Sequence, residues 1–344
     1  MKVGLLTGGG DCPGLNAVIR AVVQRVADEG WSCLGILEGW KGLVRNLTMP
    51  LDVATTDDIV GRGGTILGAS RTNPYKNPDV DLSAVLENFK AHSLDALVVI
   101  GGDDTLGVAH RLHKDYRLPV VGVPKTIDND MLVTDFTFGF DTAINVVTEA
   151  VDRLRTTAES HRRIMVVETM GRNSGWIACF AGIATAADYI LVPEVPIDIA
   201  HLVDVLKRRR AAGKPYGIVV VSEGAEFPDR LPSEPPDLYP FPSPSPRFGG
   251  IAASVSREIE HRTGFETRSI ILGYLQRGGP PSAYDRVLAT RLGLAASHLV
   301  IQRRFGTLVA LSETRIVEKP LDASVAATRS LDLRYYDEAA AFFK

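Results

Sequence analysis

Four short segments hold residues able to cradle a phosphate or move a proton, and three of them directly follow a short apolar run. The first, Thr7-Gly8-Gly9-Gly10-Asp11-Cys12-Pro13-Gly14-Leu15-Asn16, lies between a predicted strand and a predicted helix. Glycines there expose backbone N–H groups, and the positive end of a helix favours an anion, which makes Gly10 a candidate phosphate contact. A tight turn and helix cap would use the same residues. The spacing fails the dinucleotide fingerprint, since counting from Gly8 and Gly10 puts Pro13 at the third glycine. No Walker lysine follows Gly14 either. The second segment, Arg62-Gly63-Gly64-Thr65-Ile66-Leu67-Gly68-Ala69-Ser70-Arg71, brackets glycines and hydroxyls with two arginines. Arginine offers phosphate two parallel hydrogen bonds, so Arg71 is a candidate, against the plain alternative of solvated loop charges.

The third segment, Ile100-Gly101-Gly102-Asp103-Asp104-Thr105, places two acids beside a glycine pair. They would repel a phosphate unless a cation intervenes, and Mg²⁺ held by one carboxylate plus phosphate oxygens resolves the conflict. Capping of the next helix is the alternative. The fourth is Pro124-Lys125-Thr126-Ile127-Asp128-Asn129-Asp130. In extended backbone Asp128 and Asp130 point the same way, and paired carboxylates raise one pKa, which suits a general base. Lys125 supplies a nearby cation, and an Asx turn would use the same stretch. Further arginines follow predicted strands: Arg162 and Arg163, Met170-Gly171-Arg172, Arg268, and Gln276-Arg277-Gly278-Gly279. Together they read as a bis-phosphate grip, though each alone is more often a surface charge.

Bulk properties narrow the classes. The chain has 344 residues, 32 glycines and a formal net charge of −3 from 38 basic and 41 acidic residues. That balance argues against a general nucleic-acid binder, which carries a basic excess. The length suits two α/β domains. Cys12, Cys33 and Cys179 form neither a disulfide framework nor a metal motif. The start runs straight into glycines and does not read as a signal peptide. The longest apolar stretch, Ile177–Ala187, is far short of the about 20 residues a membrane span needs, so a soluble cytoplasmic protein is expected.

The segments must be positioned by alternating strands and helices. Apolar, β-branched runs predict strands at Val3–Thr7, Cys33–Leu37, Ala96–Ile100, Val120–Val123, Ile164–Glu168, Ile190–Val192, Ile218–Ser222 and Ser269–Leu272. Helices are predicted at Leu15–Asp28, Leu82–Ala91, Thr105–His113, Ala143–Ser160, Gly175–Ala186, Ala200–Ala212, Gly250–Arg262 and Tyr284–Gln302. Runs apolar on both faces are those of parallel strands covered on both sides, with ligand loops at their carboxyl ends. The proline-dense Pro228–Pro246 reads as an extended surface excursion.

In combination and in order, Gly8–Asn16, Gly101–Thr105, Pro124–Asp130, Met170–Arg172, Ser222-Glu223-Gly224 and Leu272–Gly279 resemble the phosphofructokinase family over nearly the whole chain. The resemblance implies two doubly wound three-layer α/β domains with a cleft between them. By its pattern, a larger domain of residues 1–140 plus about 250–305 would bind the phosphoryl donor. A smaller one, 141–249 plus about 306–344, would bind the sugar phosphate. It implies Mg²⁺-dependent, reversible phosphoryl transfer to the 1-hydroxyl of fructose 6-phosphate. Carried over by position, Asp128 resembles the catalytic base and Asp103 the magnesium residue, with Lys125, Asp104 and Arg172 beside the transfer. Gly10, Arg71, Gly102, Asp104, Thr105 and Lys125 fall on the donor side. Thr126, Ile127, Met170, Gly171, Arg172, Glu223, Leu275, Gln276 and Arg277 fall on the sugar side. Arg163 and Arg268 match positions reaching the substrate from a neighbouring subunit, which implies a dimer or tetramer with a shared site. Tyr274 stands where many members carry histidine.

Two departures bear on the donor. ATP-using members have glycine where this chain has Asp104, and often where it has Lys125, whereas pyrophosphate-using members carry the acid and the lysine. Near an ATP α-phosphate, at ~4 Å and an effective dielectric of ~20, the Asp104 carboxylate would cost about 4 kcal/mol, an upper value of roughly a thousandfold in affinity. Lys125 would neutralise charge on the bridging and leaving oxygens. The expectation is therefore a pyrophosphate-dependent enzyme. The alternatives are ATP as donor, a non-catalytic sugar-phosphate sensor on the same fold, and a dinucleotide dehydrogenase already weakened by the failed glycine spacing.

Overall fold

The structure, a computed structural model, describes residues 1–228, 250–325 and 327–344. The expected Pro228–Pro246 excursion, apart from Pro228, lies outside the described residues. In chain order the strands are β1 (Lys2–Thr7), β2 (Ser32–Ile36), β3 (Thr48–Leu51), β4 (Ala96–Gly101), β5 (Val120–Pro124), β6 (Ile164–Thr169), β7 (Tyr189–Leu191), β8 (Gly217–Ser222), β9 (Thr267–Ile271), β10 (Thr307–Ser312) and β11 (Arg315–Pro320). All eight expected strands are among them, shifted by a residue or two at their ends.

Two compact units form. The first comprises Met1–Thr142 and Arg277–Thr328, the second Ala143–Gln276 and Arg329–Lys344. The outer stretches are exchanged relative to the sequence expectation. Residues 250–276 join the second unit because β9 pairs with β6, and residues 306–328 join the first because β10 pairs with β5. Strand pairing across more than 100 residues decides this, and no local pattern announces it.

In the first unit a seven-stranded sheet runs β11-β10-β5-β4-β1-β2-β3. Its central strands are buried on both faces, so helices cover both sides. On one face Leu6, Leu97 and Val99 pack with Leu43, Val85, Phe89, Leu106 and Leu112 in a single apolar core. Helices Leu15–Asp28 and Ala283–Ile301 approach so closely that a Cβ at Gly293 would stand 2.8 Å from the Val18 carbonyl oxygen. The chain leaves β1 towards β2 and β3 on one side, then returns to β4 and β5 on the other. The switch point therefore lies between β1 and β4, where such sheets bind ligands at the strands' carboxyl ends.

The second unit holds a parallel four-stranded sheet, β7-β8-β6-β9. Here β6 and β8 are fully buried, whereas β9 is an edge strand with exposed Arg268, Ser269 and Ile271. Strands β3, β10 and β11 were not expected. β3 is a short edge strand carrying Pro50, tolerated only at such a position, and the charged Glu318-Lys319 masks β11. Helix Leu333–Ala340 was likewise not foreseen.

Candidate active site

The glycine loops of the first unit are stitched together at the switch point. Thr7, at the end of β1, places its hydroxyl 2.9 Å from that of Thr65 and donates to the Gly68 carbonyl at 2.7 Å. The Gly9 N–H donates to Ser70 at 3.1 Å. Asn16 completes the seam, donating from Nδ2 to the Arg62 carbonyl at 2.9 Å and accepting the Ile66 N–H on Oδ1 at 2.8 Å. Asn16 closes the first motif, but its role in the seam was not readable from the sequence, because its partners lie some 50 residues on. Thr105 is wedged between the loops after β1 and β4, where a Cβ at Gly8 or Gly101 would come within 2.6 or 2.4 Å of its side chain. Glycine at both positions is what lets the two strand ends meet the helix Asp103–Tyr116.

That helix corrects the capping alternative. Gly102 is the N-cap, in extended backbone, and Asp103 and Asp104 are the exposed first-turn residues, where negative charge suits the helix dipole. Neither acid caps the helix. Arg71 is exposed on the second glycine loop.

Lys125 and Arg277 close over the first loop. The buried Lys125 donates from Nζ to the Gly10 carbonyl at 2.7 Å, and Arg277 donates from Nη1 to the Asp11 carbonyl at 3.0 Å. Burial lowers the Lys125 pKa, with the Arg277 cation adding to the effect while Asp128 and Asp11 oppose it. A Cβ at Gly10 would stand 3.0 Å from Arg277 Nη1. Arg277, expected on the sugar-phosphate side, thus lies against the first glycine loop.

Asp128 is the most perturbed carboxyl of this group. Burial, reinforced by the Asp130 charge, raises its pKa to about 6, against the opposing pull of Arg277 and Lys125. Asp130 is also raised, first by burial and then by Asp103, while a hydrogen bond from Thr126 opposes the shift. The paired-carboxylate expectation holds in effect, but burial is the larger cause. The backbone between them is not extended, because Asn129 has φ 52°, in the left-handed region. Thr126 accepts the Asp128 N–H at 3.1 Å, and Ile127 is fully buried, so its side chain faces the protein interior.

A divalent cation fits these residues in one way only. Among the described residues no group of three histidine, cysteine, aspartate or glutamate side chains could hold a metal ion. The Asp103 charge nonetheless reaches Asp130, so two carboxylates stand near the glycine loops. Few protein ligands, with the rest from phosphate and water, is the manner in which Mg²⁺ binds.

The second unit gathers its own set at the carboxyl ends of β6, β8 and β9. The Glu223 N–H donates to Thr169 at 2.9 Å, and the Leu272 N–H to Glu168 at 3.1 Å. Ser222 donates to the Gly171 carbonyl at 2.5 Å, and a Cβ at Gly224 would stand 1.9 Å from the Arg172 carbonyl oxygen. Met170, Gly171, Arg172 and Glu223 are therefore brought together, with the Arg172 side chain exposed. Gln276 is buried with both ends of its carboxamide engaged: Oε1 accepts the Met170 N–H at 3.1 Å and Nε2 donates to Gly273 at 3.1 Å. It holds the Met170 loop in place. Arg163 and Arg268 share the Glu266 carboxylate at 2.8 and 2.5 Å. Tyr274 and Leu275 are 80% and 67% exposed.

A family model described as phosphofructokinase matches residues 2–300. The pyrophosphate–fructose 6-phosphate 1-phosphotransferase of Streptomyces coelicolor is 50% identical, covering 100% of both chains. ATP-dependent 6-phosphofructokinase 3 of the same organism is 48% identical, over 98% of this chain and 99% of its own. Among solved structures, phosphofructokinase from Saccharomyces cerevisiae matches with a TM-score of 0.81 and 32% identity, over 99% of this chain and 46% of that one. This chain thus spans about half the length of the yeast chain. It belongs to the phosphofructokinase family, and its two α/β units, the first on a mostly parallel sheet with antiparallel edge strands and the second on a parallel one, have that family's fold.

Proposed function

We propose that this protein transfers a phosphoryl group from inorganic pyrophosphate to the 1-hydroxyl of fructose 6-phosphate, reversibly giving fructose 1,6-bisphosphate and phosphate. The observation that carries the donor choice is the pairing of Asp104, exposed beside the glycine loops, with Lys125, buried against Gly10. The acid takes room and adds like charge where an adenosine-bearing α-phosphate would lie, while the lysine faces the charge that develops on the oxygens of a departing phosphate.

The first unit holds the donor along Gly10, Arg71, Gly102 and Thr105, with Arg277 over the first loop. Asp128, whose raised pKa keeps it a competent base near neutrality, accepts the 1-hydroxyl proton. Lys125 and Arg277 stabilise the negative charge as the bond to the leaving phosphate breaks. Asp103, with Asp130 near, would hold Mg²⁺, which when bound neutralises phosphate charge and orients the donor. In the second unit Met170, Gly171, Arg172 and Glu223 grip the sugar phosphate, on loops fixed by Gln276. In-line positioning and charge neutralisation supply most of the rate.

The active species is a homo-oligomer, a dimer or tetramer, in the cytoplasm. Arg268 on the edge strand β9, and Arg163 just before β6 and tied to it through Glu266, reach the sugar phosphate bound to the adjacent subunit, and exposed Ile271, Tyr274 and Leu275 extend the same edge. No described helix is long and apolar enough to cross a membrane.

Assaying purified protein with each donor decides the reading. Efficient turnover with pyrophosphate and little with ATP is expected. The reverse result makes it an ATP-dependent phosphofructokinase, and turnover with neither favours a sugar-phosphate sensor.

A further inference from the structure

Asn129 stands between the two acids of the fourth motif and has no part in the reaction described so far. It is fully buried and non-glycine, yet its φ of 52° puts it in the left-handed region, which asparagine tolerates better than most residues. Its side chain faces the segment that follows. Oδ1 accepts the Thr137 N–H at 3.1 Å and faces the Thr137 hydroxyl at 3.4 Å, while Nδ2 points to the Asp135 carbonyl at 3.5 Å. That segment is pinned in turn to β10. The Asp135 N–H donates to Leu311 at 2.9 Å, the Leu311 N–H donates to the Thr134 hydroxyl at 2.9 Å, and the Glu313 N–H donates to Asp135 Oδ2 at 2.5 Å.

We infer that Asn129 is a positioning residue, which fixes the Asp128 carboxylate by bending the chain through a left-handed residue and tying it through Thr137 to β10. Burial alternates along the loop, with Ile127 and Asn129 fully buried and Asp128 and Asp130 partly exposed. Two anchors thus flank the reacting carboxylate. Ile127 locks one side by packing, its Cγ2 standing 3.1 Å from where a Cβ at Gly139 would be. Asn129 locks the other by backbone shape and hydrogen bonds. A base displaced by as little as 1 Å loses much of its rate while distant binding contacts persist. This inference rests on the reading of Asp128 as the base.

The test is the Asn129→Gly variant, since glycine adopts the same backbone but makes none of the side-chain bonds. Expected is a fold-intact protein whose dissociation constant for fructose 6-phosphate stays within about threefold, with kcat with pyrophosphate lowered about thirtyfold or more. A kcat within threefold of the parent overturns the inference. Should Asn129→Gly not accumulate folded, Asn129→Asp decides, because it keeps the shape and accepts the same two bonds. It is expected within about tenfold of the parent kcat at pH 8. A kcat as low as that of Asp128→Asn overturns the inference. Turnover surviving in Asp128→Asn removes instead the assignment of the base. A dead Asp128→Asn beside a fully active Asn129→Gly removes only the positioning role.

Discussion

The ammonium of Lys125 donates a 2.7 Å hydrogen bond to the carbonyl oxygen of Gly10, 115 residues earlier in the chain. One bond thereby joins the end of β5 to the glycine loop after β1, and sets a buried cation beside the proposed donor site. Burial makes that cation costly, and the nearby Asp128 and Asp11 charges help to keep it protonated.

Lys125→Met removes the charge while keeping most of the buried volume. The value of kcat/KM for pyrophosphate should fall by about 10²–10³, as for loss of one preorganised charge-stabilising donor. Affinity for fructose 6-phosphate should hold within about threefold, because its grip is assigned elsewhere. The double variant Asp104→Gly, Lys125→Gly should likewise weaken pyrophosphate use, and unchanged steady-state constants would refute both roles.

Asp128→Asn should lower kcat by about 10²–10⁴, the usual worth of a general base, with sugar-phosphate binding still measurable by calorimetry. In the parent enzyme kcat should fall tenfold per pH unit below about 6, where Asp128 takes up its proton. A profile flat down to pH 5 would contradict the assignment.

The same carboxyl carries a stability signature. Asp128 holds its proton more tightly folded than unfolded, so its contribution to stability declines as pH rises from about 4 to about 6. Thermal denaturation of the ligand-free Asp128→Asn protein should therefore show a Tm a few degrees above the parent at pH 7.5. The gap should close near pH 4.

Asp285 joins two helix starts. Its Oδ2 accepts the Thr142 N–H at 2.8 Å and the Thr142 hydroxyl at 2.5 Å, and Thr142 Oγ1 accepts the Ser282 N–H at 2.9 Å. Asp285→Ala strands these buried donors, costing about 1–3 kcal/mol, which in a protein of this size lowers Tm by about 2–4 °C per kcal/mol. Asp285→Asn, which keeps an acceptor oxygen, should lose less in the same scan. Equal losses would show that the hydrogen bonds matter little.

Gly63 approaches Gly279 so closely that a Cβ would stand 2.1 Å from its carbonyl oxygen. Gly63→Ala must push the second glycine loop away, so pyrophosphate affinity should drop at least about tenfold, roughly the price of one charged hydrogen bond. Fructose 6-phosphate affinity should change little, a contrast that titration calorimetry reads directly.

How much was legible in the sequence follows the range of the forces involved. The glycine loops, the strand ends that carry them and most helices were readable, because backbone freedom and apolar periodicity act within a few residues. Helix Leu15–Asp28 has the expected bounds. The raised pKa of Asp128 was anticipated from Asp130 alone. Its main cause, burial, depends on what packs over the loop and was not visible.

The sequence by itself supplied the candidates: glycines for close approach to phosphate and, through the family resemblance, Asp128 as the proposed base, Asp103 for a cation, and Asp104 with Lys125 to select the donor. Only the tertiary structure decided which of these meet. It set Arg277 against Gly10, engaged Gln276 in holding Met170, and turned the chain left-handed at Asn129. It also assigned residues 250–276 and 306–328 to the opposite units from those expected. Each of these depends on hydrogen bonds or strand pairs between distant residues, whose geometry exists only once the sheets have formed.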